Sequence, residues 1–313
     1  MSGTTKGCLC AVISAISYGL NPLGALFLYQ DGVRPLSVLF YRFAPAALML
    51  AALLVANGKS FRISRREAGV LTILGLLFCT SSLTYYYSFR FIDVGIAGVL
   101  TYFNPVIVAA IMCLFFHERL KVSTVAAIAI ALGGIALLYK SDGSGTLSLT
   151  GLLLVLFSAA AYAVYMVVIN QTDIRMSSVK LTFYVLVVCS AVLFAFAQFV
   201  EGGLQPLSTP RSWLSAAGLA LFPTVISLVT MAMAVKLIGS TPTAILGALE
   251  PLTAVVVGVA VFGEQLTPRI VLGMTMILCA AIIIILGKRV PAMRHPSQLL
   301  RLGGKMKKHW RWK

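Results

Sequence analysis

One stretch of 24 residues occurs twice in this chain and constrains its fold more than any other feature. Residues 97–120 read AGVLTYFNPVIVAAIMCLFFHERL, and residues 243–266 read TAILGALEPLTAVVVGVAVFGEQL. A constant shift of 146 positions places Asn104-Pro105 on Glu250-Pro251. Each copy is an apolar helix interrupted near its middle by a polar residue and a proline. Internal repetition on this scale predicts a protein made of two similar halves.

The chain is too apolar for a water-soluble fold. Its mean hydropathy is +0.96, and only 11% of its residues are charged, too few to cover a water-exposed surface. The apolar residues come in runs of about 20, the length of a helix that crosses a hydrocarbon core of about 30 Å. Because the ten-residue alternating strands of outer-membrane barrels do not occur, the spans are predicted to be helices.

The length and spacing of the apolar runs predict ten spans joined by short connections. They cover residues 7–29, 35–56, 69–89, 94–116, 121–140, 150–170, 179–200, 213–235, 241–262 and 268–287. Thr267 is predicted to cap the last span, which begins at Pro268.

The predicted fold class is an all-α polytopic membrane protein with ten transmembrane helices arranged as two inverted five-helix repeats. The repeats are inverted because an odd number of spans per half makes the second half enter the membrane from the opposite side. The predicted units are residues 1–144, residues 145–288 and a basic tail at residues 289–313.

Lysine and arginine in the connections predict the orientation. Without the tail, the connections on one side hold ten of these residues and those on the other side hold five. The excess predicts a multi-pass protein of the cell (inner) membrane with its N- and C-termini in the cytoplasm. The net charge is +16, and nine basic residues fall within residues 288–313. This placement favours contact of the tail with anionic membrane lipids, and no nucleic-acid partner is predicted.

Glu250 is the strongest indication of a functional site. It lies about ten residues into span 9, near the bilayer midplane, where an ionised carboxylate costs roughly 2.5–3.5 kcal/mol. Pro251 has no N–H to donate to the carbonyl of Gly247. A carboxylate beside such a bend can accept a proton, an ammonium group or a hydrogen bond. The alternative is a buried, protonated glutamate that holds two helices together. Asn104 is the uncharged equivalent in the first half.

Polar pairs in spans 1 and 6 correspond to each other at a shift of 144. Tyr18 and Asn21 align with Tyr162 and Tyr165, and each pair lies on one helical face at mid-depth. In lipid, these hydroxyl and amide groups need partners, so the faces are predicted to turn inward. They either line a cavity or form hydrogen bonds between helices.

Three consecutive tyrosines, Tyr85 to Tyr87, cannot share one helical face. At least one is expected at the membrane interface, whereas Tyr86 or Tyr102 is expected to face a cavity. The candidate substrate-binding residues share a polar side chain near mid-depth: Tyr18, Asn21, Tyr86, Tyr102, Asn104, Tyr162, Tyr165 and Glu250.

Three further charged residues lie in or at the ends of apolar spans. Glu118 and Glu264 end spans 4 and 9, and we expect them to accept N–H groups of the following helix or to pair with a nearby arginine. Arg42 lies within span 2, where it either extends outward to the interface or pairs with a partner in the cavity.

The sequence contains few signs of enzyme chemistry. The chain lacks a nucleotide-binding Gly-Lys-Ser/Thr loop, a zinc-protease His-Glu-x-x-His and a Gly-x-Ser-x-Gly motif. Its six cysteines fall in apolar runs without zinc-ligand spacing and are interpreted as free thiols. The sequence therefore predicts no catalytic residue, no metal and no cofactor.

The chain resembles the EamA family of the drug/metabolite transporter superfamily over essentially its whole length. The resemblance rests on L-x-P followed 13 residues later by glutamate, seen from Asn104-Pro105 to Glu118 and from Glu250-Pro251 to Glu264. Phe103 departs from the pattern by replacing the leucine. Gly133-Gly134 in span 5 also fits, whereas span 10 has Cys279-Ala280 there. The resemblance implies secondary transport, often export, through a central cavity formed by most spans except 5 and 10.

These features predict a secondary transporter of small metabolites, such as amino acids or related amphipathic solutes, that works by alternating access. Export is favoured, and the driving force is either the proton gradient or the gradient of the substrate. The predicted hinges are the prolines that bend spans 1, 4, 8 and 9, namely Pro22, Pro105, Pro223 and Pro251. The alternatives are a channel or facilitator, or an importer of a vitamin, nucleoside or other metabolite. The sequence leaves the substrate and the oligomeric state open.

Overall fold

The computed structural model describes residues 3–116, 122–139, 148–172, 176–238, 243 and 246–287. Within these ranges the regular structure is entirely helical. The helices are α1 (Gly3–Gly19), α2 (Asn21–Gln30), α3 (Pro35–Ala56), α4 (Arg65–Ser88), α5 (Val94–Thr101), α6 (Asn104–Phe116), α7 (Val122–Tyr139), α8 (Leu149–Gln171), α9 (Ser178–Val200), α10 (Pro210–Ala220), α11 (Ser227–Ile238), α12 (Leu249–Phe262) and α13 (Pro268–Gly287). A π-helical segment, Leu221–Ile226, joins α10 to α11.

Six of the helical stretches are long and apolar enough to cross a bilayer. They are Gly3–Gln30, Pro35–Ala56, Arg65–Ser88, Leu149–Ile169, Ser178–Val200 and Pro210–Ala234. Four shorter apolar helices fall in the positions of the other predicted spans. The all-helical, multi-pass prediction is therefore confirmed, whereas the number ten stays a prediction. The basic tail at residues 289–313 lies outside the described residues.

Several helices begin at side-chain caps that the sequence supplies. Ser64 and Glu67 form a capping box, in which the Ser64 hydroxyl accepts from the Glu67 N–H and the Glu67 carboxylate accepts from the Ser64 N–H. The predicted cap at Thr267 is confirmed, because its hydroxyl accepts from the Ile270 N–H at 3.3 Å. These caps position the start of helices at the two ends of the bundle.

The helices of the first half pack mainly against helices of the second. The helix α1 contacts α11 and α12, while its counterpart α8 contacts α4 and α6. The helices α7 and α13 pack closely against each other. A Cβ atom on Gly134 would lie 2.7 Å from the carbonyl oxygen of Gly273, so glycine permits this close approach of α7 to α13.

The contacts between the halves occur in equivalent pairs. Gly7 packs against Leu237 and Ile238, and Gly151, its counterpart at a shift of 144, packs against Phe91 and Ile92. The latter two residues precede Leu237 and Ile238 by 146 positions. Each half therefore offers the other the same packing surface.

Buried serines form hydrogen bonds between the halves at equivalent positions of the two repeats. The Ser14 hydroxyl donates to the Ser227 carbonyl at 2.8 Å, and the Ser158 hydroxyl donates to the Ser81 carbonyl at 2.7 Å. The two hydroxyls of each pair lie 3.1 Å apart. The shifts of 144 and 146 relate Ser14 to Ser158 and Ser81 to Ser227, so the two pairs occupy equivalent positions. The exact bounds of the predicted units stay predictions.

Candidate functional site

The helices are interrupted where the sequence predicts bends. A turn at Leu20 separates α1 from α2, a turn at 102–103 separates α5 from α6, and a turn at 247–248 precedes α12. In each case the proline falls in the first turn of the helix that follows, where its missing N–H costs least. By contrast, Pro45 lies inside α3 without breaking it. Whether these interruptions act as hinges stays a prediction.

The fourth predicted hinge, Pro223, lies in the π-helical segment. A proline cannot donate a backbone hydrogen bond to the Leu219 carbonyl, four residues earlier. The hydroxyl of Thr224 donates to this carbonyl at 3.0 Å and in turn accepts from Nε of Arg42, also at 3.0 Å. The irregular segment thus presents a polar side chain to the interior of the bundle.

Arg42 is the centre of a buried hydrogen-bond network. Its Nη1 donates to the hydroxyl of Tyr86 at 3.1 Å, and that hydroxyl donates to Oδ1 of Asn21 at 2.8 Å. Arg42 and Asn21 are each 2% exposed, Tyr86 is 0% exposed and Thr224 is 1% exposed. We call these four residues the polar half of the site.

Arg42 therefore does not extend outward to the interface. Its guanidinium carbon lies 5.1 Å from the ring centre of Phe43 and 5.7 Å from those of Tyr18 and Tyr86, within cation–π range. Among the described residues, no carboxylate lies within 4 Å of it, and its hydrogen-bond partners are the neutral hydroxyls of Thr224, Tyr86 and Tyr18. The permanent charge of an arginine is thus held in the protein interior by neutral partners.

Glu250 lies at the start of α12, in the same central region. Its carboxylate is close enough to Arg42 to interact electrostatically, and also to the hydroxyls of Tyr18, Tyr85, Tyr102 and Tyr162. The side chain is partly exposed and makes no hydrogen bond to a described residue. Four tyrosine hydroxyls therefore lie near the Glu250 carboxylate in the structure.

Close packing of a glycine brings Glu250 to the first helix. A Cβ atom on Gly19 would lie 2.6 Å from the Glu250 carbonyl oxygen and 2.5 Å from Cβ of Thr253. The backbone of α1 therefore touches the first turn of α12 beside Tyr18. The equivalent of Glu250 in the first half, Asn104, has a buried Oδ1 with no hydrogen-bond partner among the described residues.

A cluster of aromatic rings adjoins Arg42 through Phe43. Tyr162 and Tyr165 stack at 5.5 Å with an interplanar angle of 25°, and Phe78 lies 5.5 Å from Tyr165 and 6.4 Å from Tyr162. Phe43 joins the cluster at 5.7 Å from Phe78, next to Arg42 in α3. We call Phe78, Tyr162 and Tyr165 the aromatic half of the site.

The EamA-like transporter family matches residues 5–140 and, a second time, residues 149–286. The chain belongs to this family. It is accordingly a membrane transporter built from two EamA repeats, as the duplicated stretch and the resemblance predicted.

Comparisons with known proteins agree with this assignment. The chain is 29% identical over 273 residues to an uncharacterized transporter of Archaeoglobus fulgidus, covering 87% of this chain and 93% of that protein. A solved crystal structure matches 93% of this chain and 99% of its own length with a TM-score of 0.64 and 18% identity, and it supports the fold alone.

The EamA repeats bring most of the predicted site residues together. Tyr18, Tyr102 and Tyr162 gather around Glu250, while Asn21 and Tyr86 meet at Arg42. Of the consecutive tyrosines, Tyr87 donates to a carboxylate oxygen of Glu201 at 3.2 Å, and Tyr85 packs on Phe89 with ring centres 4.7 Å apart.

Sequence reasoning did not include Arg42, Thr224 or Phe78 among the site residues. The signal for Arg42 was available, because a single arginine within an apolar span is a functional candidate by default. Thr224 could have been found as the hydroxyl next to a helix-breaking proline. The sequence gives no indication that Phe78 belongs to the site, since one phenylalanine among apolar residues cannot be distinguished from an ordinary core residue.

Glu264 has a structural role that differs in part from the prediction. Its carboxylate accepts from the N–H groups of Val94 at 2.7 Å and Gly95 at 3.1 Å. Burial raises the pKa of this carboxyl above its ordinary value, and the hydrogen bond from Val94 opposes that effect. The expectation that it would cap the following helix is wrong, because the capped helix is α5 of the other half. Glu118 lies outside the described residues.

One end of the bundle, which we call the Arg34 end, is closed by contacts between connection 31–34 and connection 201–209. Arg34 donates from Nη1 to the Glu201 carbonyl at 3.1 Å and forms an ion pair with the Glu201 carboxylate at 3.2 Å. Its backbone N–H donates to Oε1 of Gln205 at 3.0 Å. The two halves are therefore joined at this end by polar groups.

Asp31 adds to the closure of the Arg34 end. Its carboxylate accepts from the hydroxyls of Ser212 at 2.5 Å and Thr209 at 3.1 Å. The hydrogen bond from Ser212 lowers the pKa of the Asp31 carboxyl below its ordinary value. A cavity of 410 Å³ opens beside this contact and is lined by Leu26, Tyr29, Gln30, Gly32, Val33, Arg34, Pro35, Phe89, Arg90 and Phe262.

Proposed function

We propose that the protein carries small amphipathic metabolites, such as amino acids, across the cell membrane by alternating access, with export as the favoured direction. The two EamA repeats are inverted relative to each other, and both termini are cytoplasmic. The site lies where the repeats meet, as is typical of transporters with inverted repeats.

The proposal rests on two opposite charges that share one buried region without touching. Arg42 and Glu250 interact electrostatically, yet no carboxylate of the described residues lies within 4 Å of the guanidinium. A membrane protein that needed only stability would gain from pairing these charges or from replacing both with apolar residues. A polar solute placed between them would satisfy both charges during its passage.

The orientation follows from the distribution of basic residues, so the Arg34 end faces the exterior in this proposal. The closure of that end by Arg34, Glu201 and Asp31 corresponds to a state closed to the outside. Opening requires these contacts between the halves to break while the helix interruptions absorb the bend.

Glu250 is the group on which proton coupling would act. Protonation removes the charge that interacts with Arg42 and with a bound ammonium group, so the affinity for substrate differs between the two protonation states. Without coupling, the solute moves down its own gradient through the same site.

Purified protein reconstituted into liposomes tests the proposal. We expect saturable flux of at least one solute from a broad panel of amphipathic metabolites. With coupling, a pH gradient accelerates this flux in the wild type, whereas Glu250→Gln loses the response to the gradient. The matched control is Glu67→Gln, since glutamine at this position preserves the capping box.

Two other results would contradict the proposal. Non-saturating conductance in planar bilayers would replace the transporter by a channel. If no solute of the panel moves while the protein is folded and correctly inserted, the proposed transport function is wrong.

A further inference from the structure

The polar half and the aromatic half of the site include residues at equivalent positions of the two repeats. Their side chains differ, because one half is polar and cationic and the other is aromatic. Asn21 of the polar half corresponds to Tyr165 at a shift of 144, and Thr224 corresponds to Phe78 at a shift of 146. The shifts of 144 and 146 relate Arg42 to Leu186 and Val188 of α9, which are both apolar, and Leu186 is fully buried. A substrate that touches both halves therefore meets a cation on one side and aromatic rings on the other.

Arg42 is prepared to bind an anion. Nε is held by Thr224 and Nη1 by Tyr86, and the Tyr18 hydroxyl also forms a hydrogen bond with the guanidinium, so the plane of this group is fixed by neutral partners alone. A guanidinium presents its donors in a rigid fork that matches a carboxylate. A preorganised donor loses little conformational entropy when it binds, so this arrangement favours an anionic group.

Arg42 also lacks a neutralising partner in direct contact. A permanent charge in a membrane interior is expensive unless a counter-charge approaches it. Glu250 interacts with it only at a distance, through a region that tyrosine hydroxyls surround. A carboxylate that enters this region supplies the missing contact.

The aromatic half provides the complementary surface for the rest of the solute. The stacked rings of Tyr162 and Tyr165, together with Phe78, form an apolar face beside Arg42, which Phe43 links to the cluster. Such a face binds flat or branched apolar groups and discriminates weakly among them.

We infer that the transported solute is a small carboxylate whose carboxyl group binds Arg42 and whose apolar or aromatic body lies against Phe78, Tyr162 and Tyr165. This inference rests on the proposed transport function and names the substrate class of the same site. It assigns Arg42 as the residue that selects for the carboxyl group.

The decisive experiment compares each carboxylate with its own primary amide. Pairs such as 3-phenylpropanoate and 3-phenylpropanamide, phenylalanine and phenylalaninamide, and leucine and leucinamide are tested for flux in proteoliposomes and for thermal stabilisation of the protein in lipid nanodiscs. We expect at least one acid to be transported and to stabilise the protein, and its amide to be at least about tenfold weaker. The free amines, such as 3-phenylpropylamine, serve as the third arm.

Variants then assign the effect to Arg42. Arg42→Lys keeps the positive charge but loses the fork, so we expect the dissociation constant for the preferred acid to rise about tenfold. The amide should be bound as before. Arg66→Lys, at an exposed position of α4, is the matched control and should bind the acid like the wild type.

The outcomes separate the two proposals. If amides or amines are transported as well as the acids, or if Arg42→Lys discriminates acid from amide like the wild type, the carboxylate inference is overturned while transport stands. Complete absence of flux overturns the transport function instead. If Arg42→Lys does not fold, the comparison of acid with amide in the wild type decides by itself.

Discussion

The serine pairs keep the symmetry of the two repeats, whereas the central site departs from it. Ser14 with Ser227 and Ser158 with Ser81 make the same hydrogen bonds at equivalent positions. In the site, by contrast, positions equivalent to Asn21 and Thr224 hold aromatic rings. The packing between the repeats is thus symmetric in these serine pairs, whereas the site is asymmetric, as the proposed solute with two unlike ends would require.

The largest effect is expected from making the polar half apolar. In Arg42→Leu, Tyr86 still donates to Asn21 and Thr224 still donates to the Leu219 carbonyl, so these two former partners each keep a hydrogen bond. The variant should therefore fold, as apolar residues do at the equivalent position of α9. We expect flux of the preferred substrate to fall about 100-fold, because a buried charged contact is lost.

Liposome flux and thermal unfolding measure the two effects, and Val185→Ile in α9 is the control. Wild-type flux in Arg42→Leu would remove Arg42 from the site.

Thr224→Val should have the next largest effect, and it acts on stability. The substitution leaves Nε of Arg42 and the Leu219 carbonyl without the Thr224 hydroxyl, and both are buried. We expect a loss of about 2–3 kcal/mol in the free energy of unfolding. Thr230→Val is the control, since the Thr230 hydroxyl bonds only to carbonyls of its own turn. Denaturant unfolding in detergent compares them, and equal stability of the two variants would contradict the role of Thr224.

The serine pairs allow a test of the symmetric part. Ser14→Ala and Ser158→Ala each remove a buried hydroxyl that bonds between the halves, and each should cost about 1 kcal/mol. The important expectation is that the two costs are equal, because the contacts are equivalent. A cost for one variant and none for the other would show that the interfaces differ energetically despite their geometry.

The smallest expected effects are on the pH dependence of stability. Two carboxylates near helix ends, Glu264 and Asp31, should change the stability in opposite directions as the pH rises. Burial raises the pKa of Glu264 in the folded protein, so the folded state binds this proton more tightly than the unfolded state does. The stability of the protein therefore falls as the pH rises from the ordinary carboxyl range through the raised pKa. Hydrogen bonding lowers the pKa of Asp31, so its stabilisation is present above the ordinary pKa and is lost as pH falls through the lowered value.

Melting temperatures across the acid range measure both carboxylates. Glu264→Gln should flatten the decline that accompanies rising pH, and Asp31→Asn should remove part of the loss that accompanies falling pH. The exposed control Glu67→Gln retains its cap and should leave the Glu264 slope unchanged. If Glu264→Gln and wild type give parallel curves, the carboxyl at this position is not the source of the slope.

Much of the architecture could be predicted because apolar length and repetition are local properties of the chain. The interruption before Asn104-Pro105 and the one before Glu250-Pro251 follow directly from proline chemistry. The partner of Glu264 could not be predicted in the same way. It is the N-terminus of α5, which is distant in the chain and is brought close only when the halves pack together.

The sequence by itself determined that the protein is a helical membrane transporter of two EamA repeats with a glutamate inside an apolar run. These properties depend on hydropathy, periodicity and motif spacing, which require no knowledge of contacts. Only the tertiary structure decided that Arg42 points inward, because the direction of a side chain within an apolar span depends on the partners that other helices supply. Thr224, Tyr86 and Asn21 come from three different helical segments, and their meeting at Arg42 is a consequence of packing alone.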